Sequence, residues 1–132
     1  MEQSSTQIIQ NDIEIIVNDI KQFSDKMENK KFLVVGGRGF IGTYFVKVLD
    51  QLNQYLKIPM KITVIDNLIT AKDKNAYQDS NINFLEEDIS KEIKYSGDLD
   101  YIIHAASIAS PPYYRKYPLK TVDVNYQGTR NL

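Results

Sequence analysis

The chain alternates between apolar residues at helical spacing and short continuous apolar runs. Near the N-terminus, isoleucines recur at intervals of three and four residues and predict a helix over residues 6–23. The stripe consists of Ile9, Ile13, Ile16 and Ile20, widened by Ile8, Ile15 and Phe23. Such a helix packs on its own domain or faces a partner subunit, and the sequence leaves both interpretations open. Residues 24–30 are polar and charged and predict a linker.

Four short apolar runs predict β-strands. They cover residues 31–35, 61–65, 82–85 and 101–105. The fourth run is almost entirely apolar, which predicts a strand that is buried on both faces.

The segments between these runs predict helices and loops. A helix is predicted over residues 40–55, with an apolar face formed by Ile41, Phe45, Val48, Leu49 and Leu52. Residues 67–80 predict a loop with a short helix, and residues 90–97 predict a loop or one helical turn. Pro111 and Pro112 are expected to interrupt the chain. A last helix is predicted from Pro118 on the spacing of Leu119, Val122 and Tyr126.

Strands that alternate with helical or loop crossovers predict a parallel sheet with right-handed connections. The expected fold class is α/β, a partial Rossmann-type doubly wound sheet with strand order 3-2-1-4 and an extra N-terminal helix. We divide the chain into an N-terminal helix and linker over residues 1–30 and a Rossmann domain over residues 31–132. A complete sheet of this kind has about six strands. The chain is therefore expected to be the N-terminal half of the domain of a longer protein.

Composition and charge narrow the class of protein. Hydrophobic residues make up 42% of the chain and charged residues 25%, with a net charge of −1. These values are typical of a globular domain and predict neither a nucleic-acid partner nor a membrane partner. Without cysteine and with one histidine, no disulfide and no metal site is predicted. The N-terminus lacks a signal-peptide pattern, so a cytoplasmic location is expected.

A glycine-rich turn follows the first predicted strand and opens the next helix. Gly36, Gly39 and Gly42 have the spacing G-x-x-G-x-x-G. Gly36 suits a tight turn, Gly39 lets the backbone approach a pyrophosphate, and Gly42 lets the helix pack closely on the strand. The N–H groups at the start of the helix then face the phosphates. A P-loop is excluded because no G-K-[ST] follows the glycines.

An acidic residue follows the second predicted strand. In this position Asp66 can accept both hydroxyl groups of an adenosine ribose and would repel a 2′-phosphate, which favours NAD over NADP. Arg38, inside the glycine turn, could instead contact a 2′-phosphate. The alternative role of Asp66 is that of an ordinary turn aspartate beside Asn67.

Two further corners are candidate contacts of a dinucleotide. Asp88 follows the third strand and could accept the adenine amino group, with Ile89 alongside, or it could simply cap a turn. Ala105, Ala106 and Ser107 follow the fourth strand, where small side chains let a cofactor lie against the backbone. His104 is expected to be a packed residue rather than a base or a metal ligand.

Several of these stretches together resemble the extended short-chain dehydrogenase/reductase family, in its NAD-dependent nucleotide-sugar epimerase/dehydratase group. They are residues 36–42, 64–67, 87–89 and 104–107. Three later stretches are similar to UDP-glucuronate decarboxylases (UDP-xylose synthases) and their close relatives: residues 106–114, 117–121 and 124–132. The resemblance begins near Phe32 and leaves out the predicted N-terminal helix.

The resemblance implies a set of contacts to NAD. It places the pyrophosphate against Gly36, Gly39, Phe40 and Ile41, and the adenosine ribose against Asp66 and Asn67. It places the adenine beside Asp88 and Ile89, and the nicotinamide side beside Ala105, Ala106 and Ser107. Asn125 would reach the cofactor from the last helix. Ser110 and the proline loop would approach the sugar of the substrate.

The resemblance also implies an activity for the full-length protein. NAD would oxidise a UDP-sugar at C4, and the hydride would return after epimerisation, dehydration or decarboxylation of a transient 4-keto sugar. The family's catalytic Ser/Thr and Tyr-x-x-x-Lys would lie beyond residue 132. No catalytic residue is therefore assigned, and these 132 residues alone are expected to be inactive. A homodimer is expected, to which the helix from Pro118 would contribute.

Two other functions fit part of the pattern. A stand-alone dinucleotide-binding or redox-sensing module would carry the same turn without catalysis. A methyltransferase-like fold also uses a glycine-rich turn and acidic residues after its second and third strands. Val34 and Val35, before the turn, argue against that fold because it generally carries an acidic residue at the end of its first strand.

Overall fold

The four strands form one parallel sheet in the order β3-β2-β1-β4, in a computed structural model that describes residues 4–69 and 82–132. The strands are β1 (Lys31–Val35), β2 (Lys61–Asp66), β3 (Asn83–Glu86) and β4 (Tyr101–His104). Val35 at the end of β1 lies opposite Ile65 on one side and His104 on the other. The predicted fold class and strand order are confirmed, and each predicted strand boundary is correct to within one residue.

Helices cover both faces of this sheet in the described part of the chain. They are α1 (Ser5–Ile20), continued by 3₁₀ turns over Lys21–Met27, and α2 (Phe40–Leu52), continued over Asn53–Tyr55. Two more follow β4, namely α3 (Pro111–Lys116) and α4 (Pro118–Asn131). All three predicted long helices are present. The short helix predicted within 67–80 falls largely outside the described residues, and residues 91–97 form a loop.

One face of the sheet is covered by α1 and α2. Val34 and Val64 of the adjacent strands β1 and β2 pack with Val46 of α2 and with Ile13 and Val17 of α1, each at most 1% exposed. Burying such side chains is the main force that holds the layers together. The N-terminal helix therefore packs on the chain's own domain. The domain boundary at residue 30 stays a prediction.

The apolar stripe predicted on α1 is only partly correct. Ile13 is buried, but Ile16 is 37% exposed and Val17 takes the core position instead. Other members of the stripe face outwards: Ile8, Ile15 and Phe23. The reason is geometric, because α2 covers a narrower side of α1 than the isoleucines occupy. The predicted polar linker is also partly wrong, since 3₁₀ turns continue through it and bury Ser24.

The opposite face of the sheet is covered by α4. Side chains alternate along a strand, so Leu33 and Val35 of β1 point away from α2 and pack with Ile89 and Val124. A Cβ added at Gly128 would lie 2.6 Å from Cδ1 of Ile89. The glycine therefore lets α4 approach the loop after β3 closely, and the helix continues through it.

The buried face of α4 differs from the one predicted. Leu119, Val122 and Tyr126 give the helical spacing, yet they are 77%, 60% and 62% exposed. Val124 and Gly128 are the buried residues. A helix whose packed side carries a small residue such as Gly128 shows no apolar periodicity on that side.

Three further expectations are corrected by the packing. The prediction that β4 is buried on both faces is wrong, because β4 pairs only with β1 among the described strands and leaves Tyr101 and Ile102 exposed. On α2, Ile41 and Phe45 are exposed as well. Pro111 and its neighbouring proline begin α3 instead of interrupting the chain, since proline fits the first turn of a helix.

The starts of β1 and β4 are joined by one carboxylate. Asp100 accepts the backbone N–H of Lys31 at Oδ2 (2.8 Å) and the Nζ of Lys30 at Oδ1 (3.0 Å). This fixes the end of the sheet that lies opposite the carboxyl ends of the strands. Among residues 4–69 and 82–132, no helix is both long enough and apolar enough to cross a membrane.

Candidate functional site

A cleft of about 270 Å³ opens at the carboxyl ends of the four strands. It lies where the chain leaves β1 towards α2 on one face and leaves β4 towards α4 on the other. Ligands of doubly wound folds bind at such a switch point. The predicted site residues that line the cleft are Gly36, Gly39, Asp66, Asn67, Asp88, Ile89, Ala105, Ala106 and Ser107.

The glycine turn begins with a left-handed residue. Gly36 has φ +75°, and its N–H donates to the carbonyl of Ile65 at 2.7 Å. A Cβ added there would lie 2.5 Å from Cα of Ala106. Only glycine fits both the backbone conformation and this approach of the turn to the end of β4.

The other two glycines of the motif have different surroundings. A Cβ at Gly42 would collide with the carbonyl oxygen of Gly36 and lie 2.8 Å from Cα of Gly37. A Cβ at Gly39 would meet one atom within 4 Å, the Gly36 oxygen at 3.3 Å. Gly42 is therefore needed for packing, whereas Gly39 leaves open space beside the turn.

Asp66 connects the end of β2 to the glycine turn. Its Oδ2 accepts the backbone N–H of Arg38 at 2.9 Å, and its Oδ1 accepts the N–H of Leu68 at 2.8 Å. The carboxylate thus serves as a turn aspartate and also lines the cleft. Each carboxylate oxygen has a second lone pair, so Asp66 can still accept hydroxyl groups from a ligand.

Asp88 is held by its own loop. Its Oδ1 accepts the backbone N–H of Ser90 at 3.0 Å and the Ser90 hydroxyl at 2.7 Å. From α4, the Nδ2 of Asn131 donates to the carbonyls of Ile89 (2.8 Å) and Lys91 (2.7 Å). The loop predicted to border the adenine is therefore held by hydrogen bonds, and its Asp88 carboxylate lines the cleft.

Asn125 reaches the cleft through Ser107. Its Nδ2 lies 3.2 Å from the Ser107 hydroxyl oxygen and donates to the carbonyl of Thr121 at 2.7 Å. The amide of Asn125 thus orients the hydroxyl of Ser107. Ser107 lines the cleft, whereas Asn125 does not line it.

Three other predicted residues lie outside the cleft. Phe40 and Ile41 begin α2, but their side chains line an apolar groove of about 630 Å³ between α1 and α2. Any contact that they make to a ligand in the cleft is therefore through the backbone. Ser110 is half-buried and precedes α3 as its N-cap.

The side of α4 that faces the cleft carries residues that were not predicted from the sequence. Lys120, Asp123 and Val124 line the cleft at the i, i+3, i+4 spacing of one helix face. No sequence pattern singled them out, because their orientation depends on how α4 docks. The cleft is completed by Val35, Ile65, Ile69, Glu87, Ser90, Lys91 and Ile108.

Within the described ranges, no cluster of three or more His, Asp or Glu residues could hold a metal ion. His104 is half-buried at the end of β4, and its buried Nδ1 has no hydrogen-bond partner among the described residues. His104 is not among the residues that line the cleft.

The cleft fits NAD on two structural grounds. The open space beside Gly39 allows a phosphate to approach the backbone at the start of α2, where helix N–H groups lack partners within the helix. Asp66 presents a carboxylate to the same cleft, as recognition of a ribose without a 2′-phosphate requires.

Residues 32–132 match the NAD dependent epimerase/dehydratase family. This match covers the sheet apart from Lys31, the first residue of β1, together with α2 to α4 and every residue that lines the cleft. The chain therefore belongs to the NAD-dependent epimerase/dehydratase family. The family resemblance and the cofactor of the family, NAD, are confirmed, and a methyltransferase-like fold is not supported.

Two curated relatives illustrate the similarity. UDP-glucuronic acid decarboxylase 1 of Danio rerio is 30% identical over 114 residues, which are 84% of this chain and 25% of the relative. UDP-glucuronic acid decarboxylase 6 of Arabidopsis thaliana is 33% identical over 107 residues, covering 79% of this chain and 29% of the relative. The chain thus spans about a quarter of the length of the curated relatives it matches.

Solved structures share the fold. The enzyme WbmF of Bordetella bronchiseptica, in complex with NAD+, matches with a TM-score of 0.65 and 27% identity over 81% of this chain and 32% of WbmF. WbmF was also solved with NAD+ and UDP. Epimerase Mth375 of Methanothermobacter thermautotrophicus matches with a TM-score of 0.68 at 23% identity, over 85% and 33% of the two chains. This second similarity shows the fold alone.

Proposed function

We propose that residues 31–132 form the NAD-binding part of a nucleotide-sugar epimerase, dehydratase or decarboxylase. The observation that carries the proposal is the cleft that brings Asp66 beside the open turn at Gly39. Family membership and the NAD+ complex of WbmF support it.

The first turn of α2 would bind the pyrophosphate through its main chain. Gly39 is the N-cap and makes no side-chain cap hydrogen bond. The N–H groups of Phe40 and Ile41 therefore remain available to phosphate oxygens, and the helix dipole adds to the attraction.

Asp66 would read the adenosine ribose. Its carboxylate can accept both ribose hydroxyls while it keeps the N–H groups of Arg38 and Leu68. A 2′-phosphate would bring like charge to this carboxylate, so we propose that the site prefers NAD to NADP. Asn67 would extend the ribose contact, and Asp88 would accept the adenine amino group.

The nicotinamide side would lie against Ala105 and Ala106, where small side chains leave room at the end of β4. When bound, NAD supplies a hydride acceptor and donor for carbon C4 of a sugar. Ser107, held by Asn125, would present a hydroxyl towards the nicotinamide, and Ser110 would lie nearer the sugar. The substrate class we propose is a UDP-sugar, supported by the WbmF complex with UDP and by the decarboxylase relatives.

We further propose that the full-length protein is a homodimer that uses α4. The exposed side of α4 carries Leu119, Val122 and Tyr126 at intervals of three and four residues. A second copy of this helix would cover that apolar face. Sedimentation of the full-length protein and of its Val122→Glu variant tests this. The proposal requires a concentration-dependent dimer that the variant does not form.

Calorimetric titration with NAD and NADP tests the proposed cofactor site. The expected result is NAD binding that exceeds NADP binding and weakens by at least about tenfold in Asp66→Ala. Asp98→Ala is the matched control, because Asp98 is fully exposed and does not line the cleft. A folded wild type that binds neither nucleotide, or that prefers NADP, would contradict the proposal.

The catalytic part of the proposal has its own test. A UDP-sugar incubated with NAD and these 132 residues should yield no product, because the residues assigned here bind and orient without supplying acid–base groups. Steady product formation by the 132-residue chain would show that a catalytic group lies among them.

A further inference from the structure

The N-terminal helix α1 lies outside the region that matches the family. It is nevertheless hydrogen-bonded to α2, whose N-terminus lies beside the cleft. The hydroxyl of Tyr44 in α2 donates to Oδ2 of Asp12 in α1 at 2.9 Å. The ring of Tyr44 packs edge-on against the ring of Phe40, with centroids 5.4 Å apart and an interplanar angle of 67°. Phe40 is the first residue of α2 and directly follows Gly39.

Asp12 is itself held in a fixed place. The next residue, Ile13, and Val17 one turn later are each 1% exposed and belong to the same core cluster as Val46 of α2. The hydrogen bond to Asp12 is also the main reason that the pKa of Tyr44 lies above its ordinary value. The phenol therefore stays protonated and can donate throughout the neutral range.

The turn at the start of α2 is held partly by its own backbone. Gly39 offers no side chain to cap the helix, which leaves the first N–H groups available for phosphate. In the same turn, the N–H of Thr43 donates to the carbonyl of Gly39 at 2.9 Å, and the Thr43 hydroxyl reaches the carbonyl of Gly37 at 3.3 Å. Tyr44 adds a restraint from α1, beside the one from β2, where Asp66 accepts the N–H of Arg38.

We propose that α1 holds the phosphate-facing end of α2 in place, with Asp12 and Tyr44 as positioning residues for the turn at Gly39. The inference rests on the proposed function in that NAD is taken to bind at this turn. A turn that is already ordered binds its ligand without a further loss of conformational freedom. Loss of the Asp12–Tyr44 bond should therefore weaken the pyrophosphate contact more than the ribose contact.

Amide hydrogen exchange of the ligand-free 132-residue chain tests the restraint directly. Tyr44→Phe and Asp12→Ala should each speed exchange at the Thr43 and Gly39 amides by about threefold to tenfold, with amides of β2 such as Val64 unchanged. Asp12→Asn keeps an acceptor oxygen and should restore wild-type exchange. Asp19→Asn, on the exposed side of α1, is the matched control.

A double-mutant cycle tests the consequence for the ligand. Binding of ADP-ribose, which contains the pyrophosphate, is compared with binding of adenosine, which does not, in Asp12→Ala, Tyr44→Phe and the double variant. Each single variant should weaken ADP-ribose binding by about threefold to tenfold, the double variant should lose no more than either, and adenosine binding should not change.

The outcomes separate the two proposals. Equal acceleration of all amides, or unchanged exchange at Thr43, would overturn the positioning role of Asp12 and Tyr44 whether or not NAD binds. Additive losses for ADP-ribose, or equal losses for adenosine, would overturn it as well. The variants could speed exchange at the Thr43 amide while the wild type binds no ADP-ribose. That result would overturn the proposed function and leave the restraint established.

Discussion

The Oδ2 atom of Asp66 lies 2.9 Å from the backbone N of Arg38, so the residue that ends β2 also fixes the turn that follows β1. The two strands are adjacent and parallel, and their carboxyl ends meet at one edge of the sheet. One hydrogen bond therefore joins the proposed ribose-binding residue to the turn proposed to bind the phosphate.

This link predicts different results for two substitutions of Asp66. Asp66→Ala loses the bonds to Arg38 and Leu68, and its free energy of unfolding should fall by about 1–3 kcal/mol. Asp66→Asn keeps one acceptor oxygen and loses the charge, so stability should change less while discrimination against NADP declines. Urea denaturation and calorimetry measure the two effects. An Asp66→Ala variant as stable as wild type would show that the bonds to the turn contribute nothing.

Alanine at Gly42 should mainly lower the stability of the fold, whereas alanine at Gly39 should mainly lower the affinity for NAD. Gly42→Ala places a Cβ against the backbone of Gly36 and Gly37, which should cost about 1–3 kcal/mol of stability. Gly39→Ala has an ordinary φ of −70° and one near neighbour, so the fold should persist. NAD affinity should still fall by about tenfold or more, because the Cβ occupies the space where a phosphate approaches. Equal NAD affinity in wild type and Gly39→Ala would rule out the phosphate at this turn.

The loop after β3 should depend on Asn131. Its Nδ2 holds the carbonyls of Ile89 and Lys91, so Asn131→Ala should lower the free energy of unfolding by about 1–2 kcal/mol and weaken adenosine binding. Thr129→Ala is the matched control, since Thr129 is an exposed residue of the same helix. A similar loss in both variants would indicate a general effect on α4.

The pH dependence of stability should reflect Asp100. The backbone N–H of Lys31 and then the Lys30 ammonium hold the pKa of Asp100 below its ordinary value of 3.8. Because the folded-state pKa is the lower one, Asp100 stabilises the fold above pH 3.8 and loses this effect as the pH falls through the folded-state value. Asp100→Ala should therefore melt below wild type at neutral pH, with the difference shrinking in strong acid. A constant difference in Tm across the acid range would contradict this origin.

The sequence predicted those features that local chemistry determines. The strand bounds, the strand order and the tight turn at Gly36 follow from short apolar runs and from glycine spacing. Asp66 could be found because a carboxylate after the second strand has a defined place in this fold. Each of these signals is contained in a few consecutive residues.

The faces of the helices could not be predicted because they depend on what packs against them. Ile16 continues an ideal apolar stripe and is nevertheless exposed, while Gly128, without a side chain, is buried against Ile89. The cleft-facing Lys120 and the bond of Tyr44 to Asp12 arise from the docking of whole helices. Contacts of this kind leave no periodic pattern in one sequence.

NAD is expected to bind in the cleft at the carboxyl ends of the strands. Amide chemical shifts of the ¹⁵N-labelled chain, recorded during titration with NAD, report which residues it contacts. We expect concerted shifts at Gly36, Gly39, Asp66 and Ala106, and none on the exposed face of α1 at Ile15. Shifts confined to the apolar groove between α1 and α2, or no shifts in a folded sample, would contradict this expectation.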